Sequence, residues 1–370
     1  MVSGANHAVR RDRLRVLLAR QDVEAALITR LVNVRYLSGF TGSNGALLVR
    51  ESGDDLLATD GRYASQAGQE APDVELLVDY PARTGVRLPL AVHAAHRAVQ
   101  CGVRQLGFED HDMTVAVHQA LCDAVPDLSL TSLDHGVERL RMTKDEAEIE
   151  ALKRACEVSD QALADVLPAI REGLTERDIA RKLDARMREY GAEGPGFPTI
   201  VASGPNSAVP HHQPTDRLVQ RGDFVKIDFG ARQAGYHADE TRTFVVGAAA
   251  DWQREVFDLV AAAQQAGREA LGPDVPARDV DAASRKVIEG AGYGEQFTHG
   301  LGHGVGLEIH EDPYLAYTAT ATLADRIPVT VEPGVYLRER GGVRIEDTLL
   351  VRPDGSESLT RSERELIVLG

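Results

Sequence analysis

Residues 298–311 contain three histidines and four alternating glycines. No other pattern in the sequence restricts the local backbone conformation as strongly. The histidines are His299, His303 and His310, and the glycines are Gly300, Gly302, Gly304 and Gly306. A spacing of four between His299 and His303 would suit a helix face, but each glycine costs about 1 kcal/mol there relative to alanine. Extended chain fits better, because the glycines then line one side, where another backbone or a ligand can come close. A buried glycine-rich strand with incidental histidines is the alternative interpretation of this segment.

Length and charge limit the possible architectures and partners. A chain of 370 residues exceeds the usual size of one hydrophobic core, so we expect two domains, spanning residues 1–134 and 135–370. The formal net charge of 41 − 57 = −16 disfavours nucleic acid as a partner. Three scattered cysteines without a C-x-x-C pair, and no uncharged apolar run of about 18 residues, indicate a reduced cytoplasmic protein without membrane contact.

The first half of the sequence predicts an α/β domain. Short apolar runs alternate with segments of helical spacing, which is typical of a parallel or mixed sheet with helices packed on it. Residues 33–45 are rich in turn-forming types and are predicted as a connection. Histidines and acids are dispersed along this half, so we expect a scaffold or cap rather than a reactive site.

Helical spacing returns in the second half. Thr143 and Glu146 have the spacing of a capping box, which predicts a long helix after them. Thr175 is predicted to begin a second helix, which the glycine- and proline-rich residues 191–198 end. Two further helices are expected near residues 252–271 and 278–290.

Four carboxylates of the second half lie inside otherwise apolar strand-like sequence. Two belong to one predicted hairpin and two to another; they are Asp228 and Asp239, then Glu332 and Glu346. An ionised carboxylate is not buried without compensation. Only Lys226, Arg242 and Arg344 lie nearby in sequence, so either the acids face water or bound cations compensate them.

Four carboxylates and one imidazole can hold two divalent cations when two of the acids bridge. Mainly oxygen donors with one histidine favour Mn²⁺, Co²⁺, Zn²⁺ or Fe²⁺ over metals that seek thiolates. Two such cations close together generate hydroxide from water near neutral pH, which is hydrolase chemistry. The chain contains no H-E-x-x-H, G-x-S-x-G, Walker loop or G-x-G-x-x-G, so the common alternatives have no sequence support.

The second half resembles the M24 metallopeptidases with the "pita-bread" fold, specifically the aminopeptidase P and prolidase group. The matching segments are A-V-P-H-H (208–212), K-I-D-F-G (226–230), H-A-D-E-T-R-T (237–243), H-G-L-G-H-G-V-G-L-E-I-H-E (299–311), V-E-P-G-V-Y (331–336) and R-I-E-D (344–347). N-V-R-Y-L-S-G-F-T-G in the first half is similar to the N-terminal domain of that group. The resemblance implies an α+β chain, with a C-terminal pita-bread catalytic domain behind an N-terminal α/β domain of the creatinase type.

The resemblance also implies a role for each matching residue. Asp228 would bind one cation, Asp239 and Glu346 would bridge two, and His303 and Glu332 would complete the other. Glu332 would also accept a proton from the attacking water. His211 would contact substrate, although His212 beside it is an alternative, and His310 would stabilise the tetrahedral intermediate or the leaving amine. His299 and Arg344 would support substrate binding, and Arg344 would also act in catalysis.

The activity that the resemblance implies is hydrolysis of the bond between an N-terminal residue and proline. An Xaa-Pro aminopeptidase is the first interpretation, and an Xaa-Pro dipeptidase restricted to dipeptides is the alternative. A creatinase-like amidinohydrolase or a non-catalytic binding protein on the same fold is less favoured, since those relatives lack metal ligands that are intact here. Two divalent cations per chain, with Mn²⁺ first, and a homodimer are further expectations.

Overall fold

The structure, a computed structural model, describes residues 6–80 and 88–370 and divides the chain into two compact units. The first unit ends at Arg141 and the second begins at Met142. The boundary predicted between residues 134 and 135 precedes the short helix Gly136–Met142, whereas the observed division falls at the end of that helix.

The first unit is built on a mixed six-stranded sheet with helices packed against it. Its described strands are β1 (Ala25–Ile28), β2 (Gly45–Arg50), β3 (Leu56–Asp60), β4 (Glu75–Asp79), β5 (Gln105–Phe108) and β6 (Ser129–Ser132). Its described helices are α1 (His7–Arg20), α2 (Leu31–Ser38), α3 (Ala64–Glu70), α4 (Leu90–Gln100), α5 (Val115–Ala124) and α6 (Gly136–Met142). The strand order is β4-β3-β2-β1-β5-β6, in which β2 runs antiparallel to both neighbours and the other pairs are parallel. The α/β prediction is confirmed.

Helix α2 replaces much of the predicted connection at residues 33–45. Val34 and Leu37 are fully buried, since a spacing of three places them on the inward face. The helix ends at Gly39, whose φ of 84° lies in the left-handed region that glycine adopts readily. The connection therefore begins after residue 38, not at residue 33 as the sequence predicted.

Four long helices cover the second unit. They are α7 (Glu146–Val166), α8 (Glu176–Glu189), α9 (Asp251–Glu269) and α10 (Ala277–Gly290). Thr175 caps α8 as predicted, but the capping box of α7 is formed by Asp145 and Glu148, two residues later than expected. Within the described ranges, none of the helices combines the length and apolarity needed to span a membrane.

The strands of the second unit form two larger sheets and two small ones. They are β7 (Gly194–Pro195), β8 (Ile200–Ser203), β9 (Phe224–Phe229), β10 (Ala231–Gln233), β11 (Tyr236–His237), β12 (Glu240–Val246), β13 (Gly302–Gly304), β14 (Glu311–Leu315), β15 (Pro328–Val331), β16 (Gly334–Leu337), β17 (Gly341–Arg344), β18 (Asp347–Arg352), β19 (Gly355–Ser358) and β20 (Val368–Leu369). The larger sheets have the orders β20-β12-β9-β8 and β14-β13-β15-β18-β19, and the small ones are β11-β10-β7 and β16-β17. An isolated bridge between Thr241 and Glu346 connects strand β12 to the turn before β18.

Only part of the glycine–histidine segment is a strand. Gly302–Gly304 pairs with β14 and β15, whereas residues 305–310 turn because the Glu311 carboxylate accepts a hydrogen bond from the Glu308 amide at 2.9 Å. The expectation of one continuous extended segment is therefore wrong. The close backbone approach at the glycines is confirmed: a Cβ on Gly302 would lie 2.0 Å from the Thr330 carbonyl oxygen, and one on Gly304 would lie 2.4 Å from that of Asp312.

Replacing Gly302 with alanine should destabilise the second unit. The added methyl meets a backbone carbonyl that cannot rotate away, so we expect a loss of about 1–3 kcal/mol in the free energy of unfolding. Denaturant unfolding would measure it. Gly290→Ala at the end of α10 is the matched control, since a Cβ there meets nothing within 4 Å. A Gly302→Ala protein as stable as this control would contradict the close approach.

Candidate metal centre

The predicted metal ligands meet in one cavity of about 200 Å³ in the second unit. Its polar lining consists of Asp228, Asp239, His303, Glu332, Glu346, His211, His310 and Gln213. Its apolar lining consists of Phe197, Pro198, Ile200 and Ile309. All five side chains proposed as ligands and both histidines proposed to act on substrate therefore face the same space.

Two sheets and two chain segments far apart in sequence bring the ligand atoms together. The donor atoms of Asp239, His303 and Glu346 all lie within 4.8 Å of one another. His303 Nε2 lies 3.5 Å from a carboxylate oxygen of Asp239 and 3.5 Å from one of Glu332. The bridge between Thr241 and Glu346 fixes this arrangement, since the Thr241 hydroxyl also donates to the Glu346 carboxylate at 2.6 Å.

The orientation of His303 suits a metal ligand. Its Nδ1 lies 3.0 Å from the carbonyl oxygen of Gly304, and its backbone amide donates to the Thr330 hydroxyl at 3.1 Å. When Nδ1 donates its proton to that carbonyl, Nε2 carries the lone pair that a cation requires. Burial lowers the pKa of His303 to about 4, so the ring is neutral and able to ligate near neutral pH.

Arg344 is the charged partner that the protein itself provides. It is almost fully buried, and it donates hydrogen bonds to the Asp228 carboxylate and to the Thr241 hydroxyl. Its Nε lies 3.9 Å from a carboxylate oxygen of Glu332. One guanidinium cannot neutralise four clustered carboxylates, so a net negative charge remains at the centre.

The electrostatics of the centre fit bound cations. Burial, together with the charges of Glu346, Asp228 and Glu332, raises the pKa of Asp239 well above its ordinary value. Burial and the charges of Glu332 and Asp228 raise the pKa of Glu346 in the same way. Divalent cations would compensate this repulsion, and oxygen donors with one imidazole suit manganese, cobalt, zinc or iron.

The two neighbouring histidines at residues 211 and 212 point to different places. His211 is exposed and lines the cavity, whereas His212 Nε2 lies 2.8 Å from the carboxylate of Glu176. The geometry therefore favours His211 as the histidine that can reach a substrate. His310 is exposed in the same cavity, with its ring centroid 4.4 Å from that of His303.

Glu176, at the start of α8, organises the segment that carries His211. Its fully buried carboxylate accepts hydrogen bonds from the backbone and side chain of Ser203, from Asn206, and from the backbone and side chain of Thr215. Burial by itself raises the pKa of Glu176, but the hydrogen bonds from Thr215, Asn206 and His212 outweigh it and hold the pKa at about 2. An ionised carboxylate thus fixes both ends of the loop.

His299 and Arg344 lie behind the cavity and are absent from its described lining. His299 Nε2 is 2.9 Å from the Tyr336 hydroxyl, which in turn accepts a hydrogen bond from Arg344 at 3.0 Å. Direct contact of His299 with substrate, as expected from the sequence, has no support in this geometry. The chain of contacts instead orients Arg344 against Asp228.

The opposite side of β12 carries a second polar network. Asp239 lines the cavity, and the Thr241 hydroxyl contacts Glu346 on the same side. On the other side, Arg242 donates to Asp347 at 2.7 Å and lies 3.6 Å from Glu240. Gln264 of α9 also donates to Asp347, at 2.6 Å. Thr241 and Arg242 therefore have hydrogen-bond partners on opposite sides of the strand, and Glu240 is paired with Arg242 by charge.

Several residues that shape the centre gave little or no sequence signal. Lys226 donates to the carbonyl oxygens of Val209 and Pro210, just before His211, and was considered only as an ion-pair partner. Tyr336 and Glu176 were not singled out, because a tyrosine in a strand and a glutamate in the first turn of a helix are ordinary there. Of these three residues, Lys226 alone stood out in the sequence, because it is a basic residue in an apolar strand.

Comparison with known proteins agrees with this geometry. Residues 150–353 match the model of metallopeptidase family M24, and residues 10–143 match that of the creatinase/prolidase N-terminal domain.

The chain belongs to metallopeptidase family M24.

One relative and two solved structures align with this chain over nearly their whole length. The chain is 35% identical to an Xaa-Pro dipeptidase of Pyrococcus horikoshii, over 94% of this chain and 95% of that protein. The solved structure of an Xaa-Pro dipeptidase from Bacillus anthracis is 36% identical with a TM-score of 0.93, covering 98% and 100% of the two chains. That of an X-Pro aminopeptidase from Thermotoga maritima is 36% identical with a TM-score of 0.88, covering 97% and 99%.

Family membership confirms the predicted fold class and the general chemistry. The second unit of this M24 chain is the pita-bread domain, and the first is the creatinase-type α/β domain. The protein is a metal-dependent peptidase, and the M24 family implies divalent cations. The role of each side chain and the identity of the metal stay predictions.

Removing a carboxylate that is predicted to bridge two cations should damage the M24 centre more than removing a histidine outside the predicted ligand set. We expect Asp239→Asn to lower bound metal and activity by more than about 100-fold, since partners outside the ligand set alone cost about 10–100-fold in metal affinity. Elemental analysis and peptidase assays after chelation and readdition of Mn²⁺, Co²⁺ or Zn²⁺ would measure both. Asp258→Asn, on the exposed side of α9, is the matched control. Full activity in metal-stripped protein would refute the centre.

Replacing Glu176 with glutamine should loosen the segment that carries His211. The amide presents a donor to groups that already donate, so we expect a loss of about 1–3 kcal/mol in the free energy of unfolding near neutral pH. Because the folded pKa of about 2 lies below the ordinary 4.5, the charge of Glu176 stabilises the fold above pH 4.5. That advantage shrinks as pH falls towards 2.

Unfolding and kinetics together test this role of Glu176. Denaturant unfolding of both proteins between pH 7 and 3 should show the stability difference narrowing, and the variant should have a raised KM with unchanged metal content. Glu172→Gln, at an exposed position just before α8, is the control. A stability difference that is constant with pH would argue against an ionised Glu176 carboxylate that holds this segment.

Proposed function

We propose that the chain hydrolyses the peptide bond between an N-terminal residue and a following proline. The observation that carries the proposal is that all the proposed metal ligands, His211 and His310 line one small cavity with an apolar wall. Two solved structures that are each 36% identical in sequence to this chain, an Xaa-Pro dipeptidase and an X-Pro aminopeptidase, support the proline specificity.

The ligand assignment is part of the proposal. Asp228 would hold one cation, Asp239 and Glu346 would bridge the pair, and His303 and Glu332 would hold the other. Bound cations would supply Lewis acidity, which polarises the scissile carbonyl group and activates water. Arg344 would keep the Asp228 carboxylate in position through its hydrogen bond.

Three side chains would transfer protons or bind the substrate. Glu332 would accept a proton from the attacking water, since its carboxylate faces the cavity beside His303. His310 would donate to the tetrahedral oxygen or to the leaving nitrogen, and His211 would hold the substrate from the other exposed wall. Neither His211 nor His310 is needed as a ligand, which leaves both free for these tasks.

Proline imposes a specific demand on such a cavity. An Xaa-Pro bond is a tertiary amide whose nitrogen carries no N–H, so a site cannot recognise it through that donor. Selectivity must come from a surface that accepts the pyrrolidine ring and from proton transfer to the leaving nitrogen. The apolar wall formed by Phe197, Pro198, Ile200 and Ile309 can supply that surface.

The length of the preferred peptide separates two versions of the function. We favour an Xaa-Pro aminopeptidase that accepts Xaa-Pro-Yaa peptides, and a dipeptidase restricted to Xaa-Pro is the alternative that the named relatives support equally well. Mn²⁺ as the metal, a homodimer and a cytoplasmic location stay predictions.

Peptide selectivity tests the proposed function directly. With Mn²⁺ added, we expect hydrolysis of Gly-Pro-type peptides and little or none of Gly-Ala-type peptides, because the pyrrolidine ring fills the apolar wall of the cavity and the alanine methyl does not. A series from the dipeptide to longer Gly-Pro-Yaa peptides, followed by chromatography, would distinguish aminopeptidase from dipeptidase. Equal rates on the Pro and Ala series would show that the assignment is wrong.

The variant arm of the same experiment addresses His310. His310→Ala should lower kcat by about 10²-fold or more if the ring assists proton transfer or charge stabilisation. Metal content should be unchanged, since His310 is outside the proposed ligand set. His96→Ala in helix α4 is a matched control. An undiminished His310→Ala enzyme would remove His310 from the mechanism.

A further inference from the structure

The first unit brings together three side chains that are dispersed in the sequence. His111 follows β5, His135 precedes α6, and Glu138 lies in the first turn of that helix. Their nitrogen and oxygen donor atoms all lie within 4.8 Å of one another. The sequence, in which these three residues are dispersed, did not indicate this cluster.

The two histidine rings lie close together at the surface of the first unit, where the His111 side chain is 18% exposed. They stack with centroids 4.0 Å apart and an interplanar angle of 25°, and both residues are exposed. His111 Nε2 lies 3.1 Å from one carboxylate oxygen of Glu138. Two imidazoles and a carboxylate therefore converge on a point that an ion can reach from solvent.

Glu138 carries an unsatisfied oxygen at the centre of this cluster. Its Oε1 accepts hydrogen bonds from Arg30 at 2.8 Å and from Asn33 at 2.7 Å, in addition to its contact with His111. Its Oε2 is buried and has no hydrogen-bond partner. Burial raises the pKa of Glu138, but the hydrogen bonds and Arg30 lower it to about 2, so the group is anionic. A buried anionic oxygen without a donor calls for a cation or an ordered water.

The surrounding charges also suit a cation. Asp110 and Asp112 flank His111 in sequence, and Asp134 precedes His135. Arg30 is the neighbouring base, but it is shared between Glu138 and Asp112, from which it lies 4.0 Å. Arg139 compensates Asp134, from which it lies 3.1 Å, so the charge that suits a cation comes from Glu138 together with Asp110 and Asp112.

The backbone at His135 is held in an unusual conformation. Asp134 and His135 have φ values of 47° and 54°, in the left-handed region that few residues other than glycine adopt. Two such residues in succession cost free energy that the surrounding structure must offset. They bring the His135 ring onto that of His111.

We propose that His111, His135 and Glu138 bind one divalent transition-metal ion, of the zinc class, separately from the cations of the cavity. Two nitrogens and one carboxylate oxygen form the donor set of many three-ligand zinc sites and leave a fourth position for water. Such donors favour Zn²⁺, Ni²⁺ or Cu²⁺ over Mg²⁺ and Ca²⁺. The ion satisfies the free oxygen of Glu138 and ties the loop after β5 to helix α6.

Zinc binding by the full-length chain tests this site independently of peptidase activity. The parent carries Asp239→Asn and Glu346→Gln, so that zinc in the cavity does not dominate. It is loaded with ZnCl₂, dialysed, analysed for zinc content, and titrated by calorimetry. Three single changes are added to it: His111→Ala, Glu138→Gln and His135→Asn, the last because asparagine tolerates the left-handed region.

We expect the parent to retain one more zinc ion per chain than each variant, and the affinity of this site to fall by about 100-fold or more. Zinc should also raise the thermal midpoint of the parent but not that of the variants. His96→Ala, a histidine of the same unit outside the cluster, should behave like the parent. Equal zinc content and equal affinity in parent and cluster variants would overturn the proposal, and so would a parent that binds no zinc.

Discussion

Repulsion between buried carboxylates is the constraint around which the second unit is arranged. Asp228, Asp239, Glu332 and Glu346 face one small cavity, and Arg344 is the guanidinium that contacts them from within the protein. Burial raises the pKa values of Asp239 and Glu346, and repulsion from the neighbouring carboxylates adds to that effect. Bound cations would relieve this repulsion, so the metal chemistry of the family and the fold of this unit depend on the same residues.

The backbone around the cavity is fixed by close contacts rather than by large side chains. Gly302 and Gly304 let the segment carrying His303 lie against neighbouring backbone, and the bridge between Thr241 and Glu346 connects two sheets. Polar groups behind the cavity then orient its walls. Glu176 holds the loop of His211, and the contacts from His299 through Tyr336 hold Arg344.

The sequence indicated which side chains meet in this cavity, because acids and histidines are conspicuous in apolar or glycine-rich strand sequence. An acid such as Asp228 in an apolar strand has few explanations, and alternating glycines beside His303 exclude a helix. The alternation of glycines with other residues could not show where the strand ends. The turn after Gly304 depends on the hydrogen bond from the Glu308 amide to the Glu311 carboxylate, and no turn motif in the sequence indicates that bond. Contacts between remote segments were equally invisible: nothing in the sequence around His111 and His135 indicates that their rings stack.

The two-sided use of strand β12 has a consequence for how the chain can vary. Side chains alternate along a strand, so a slip of one residue would turn Glu240 and Arg242 into the cavity and Asp239 and Thr241 away from it. The incoming pair brings another carboxylate, Glu240, into the cavity. Asp347 would lose the guanidinium of Arg242 and be left with that of Arg364. An insertion or deletion within β12 would therefore disrupt the polar contacts on both sides of the strand. A change of length in the connections around β12 leaves this alternation intact.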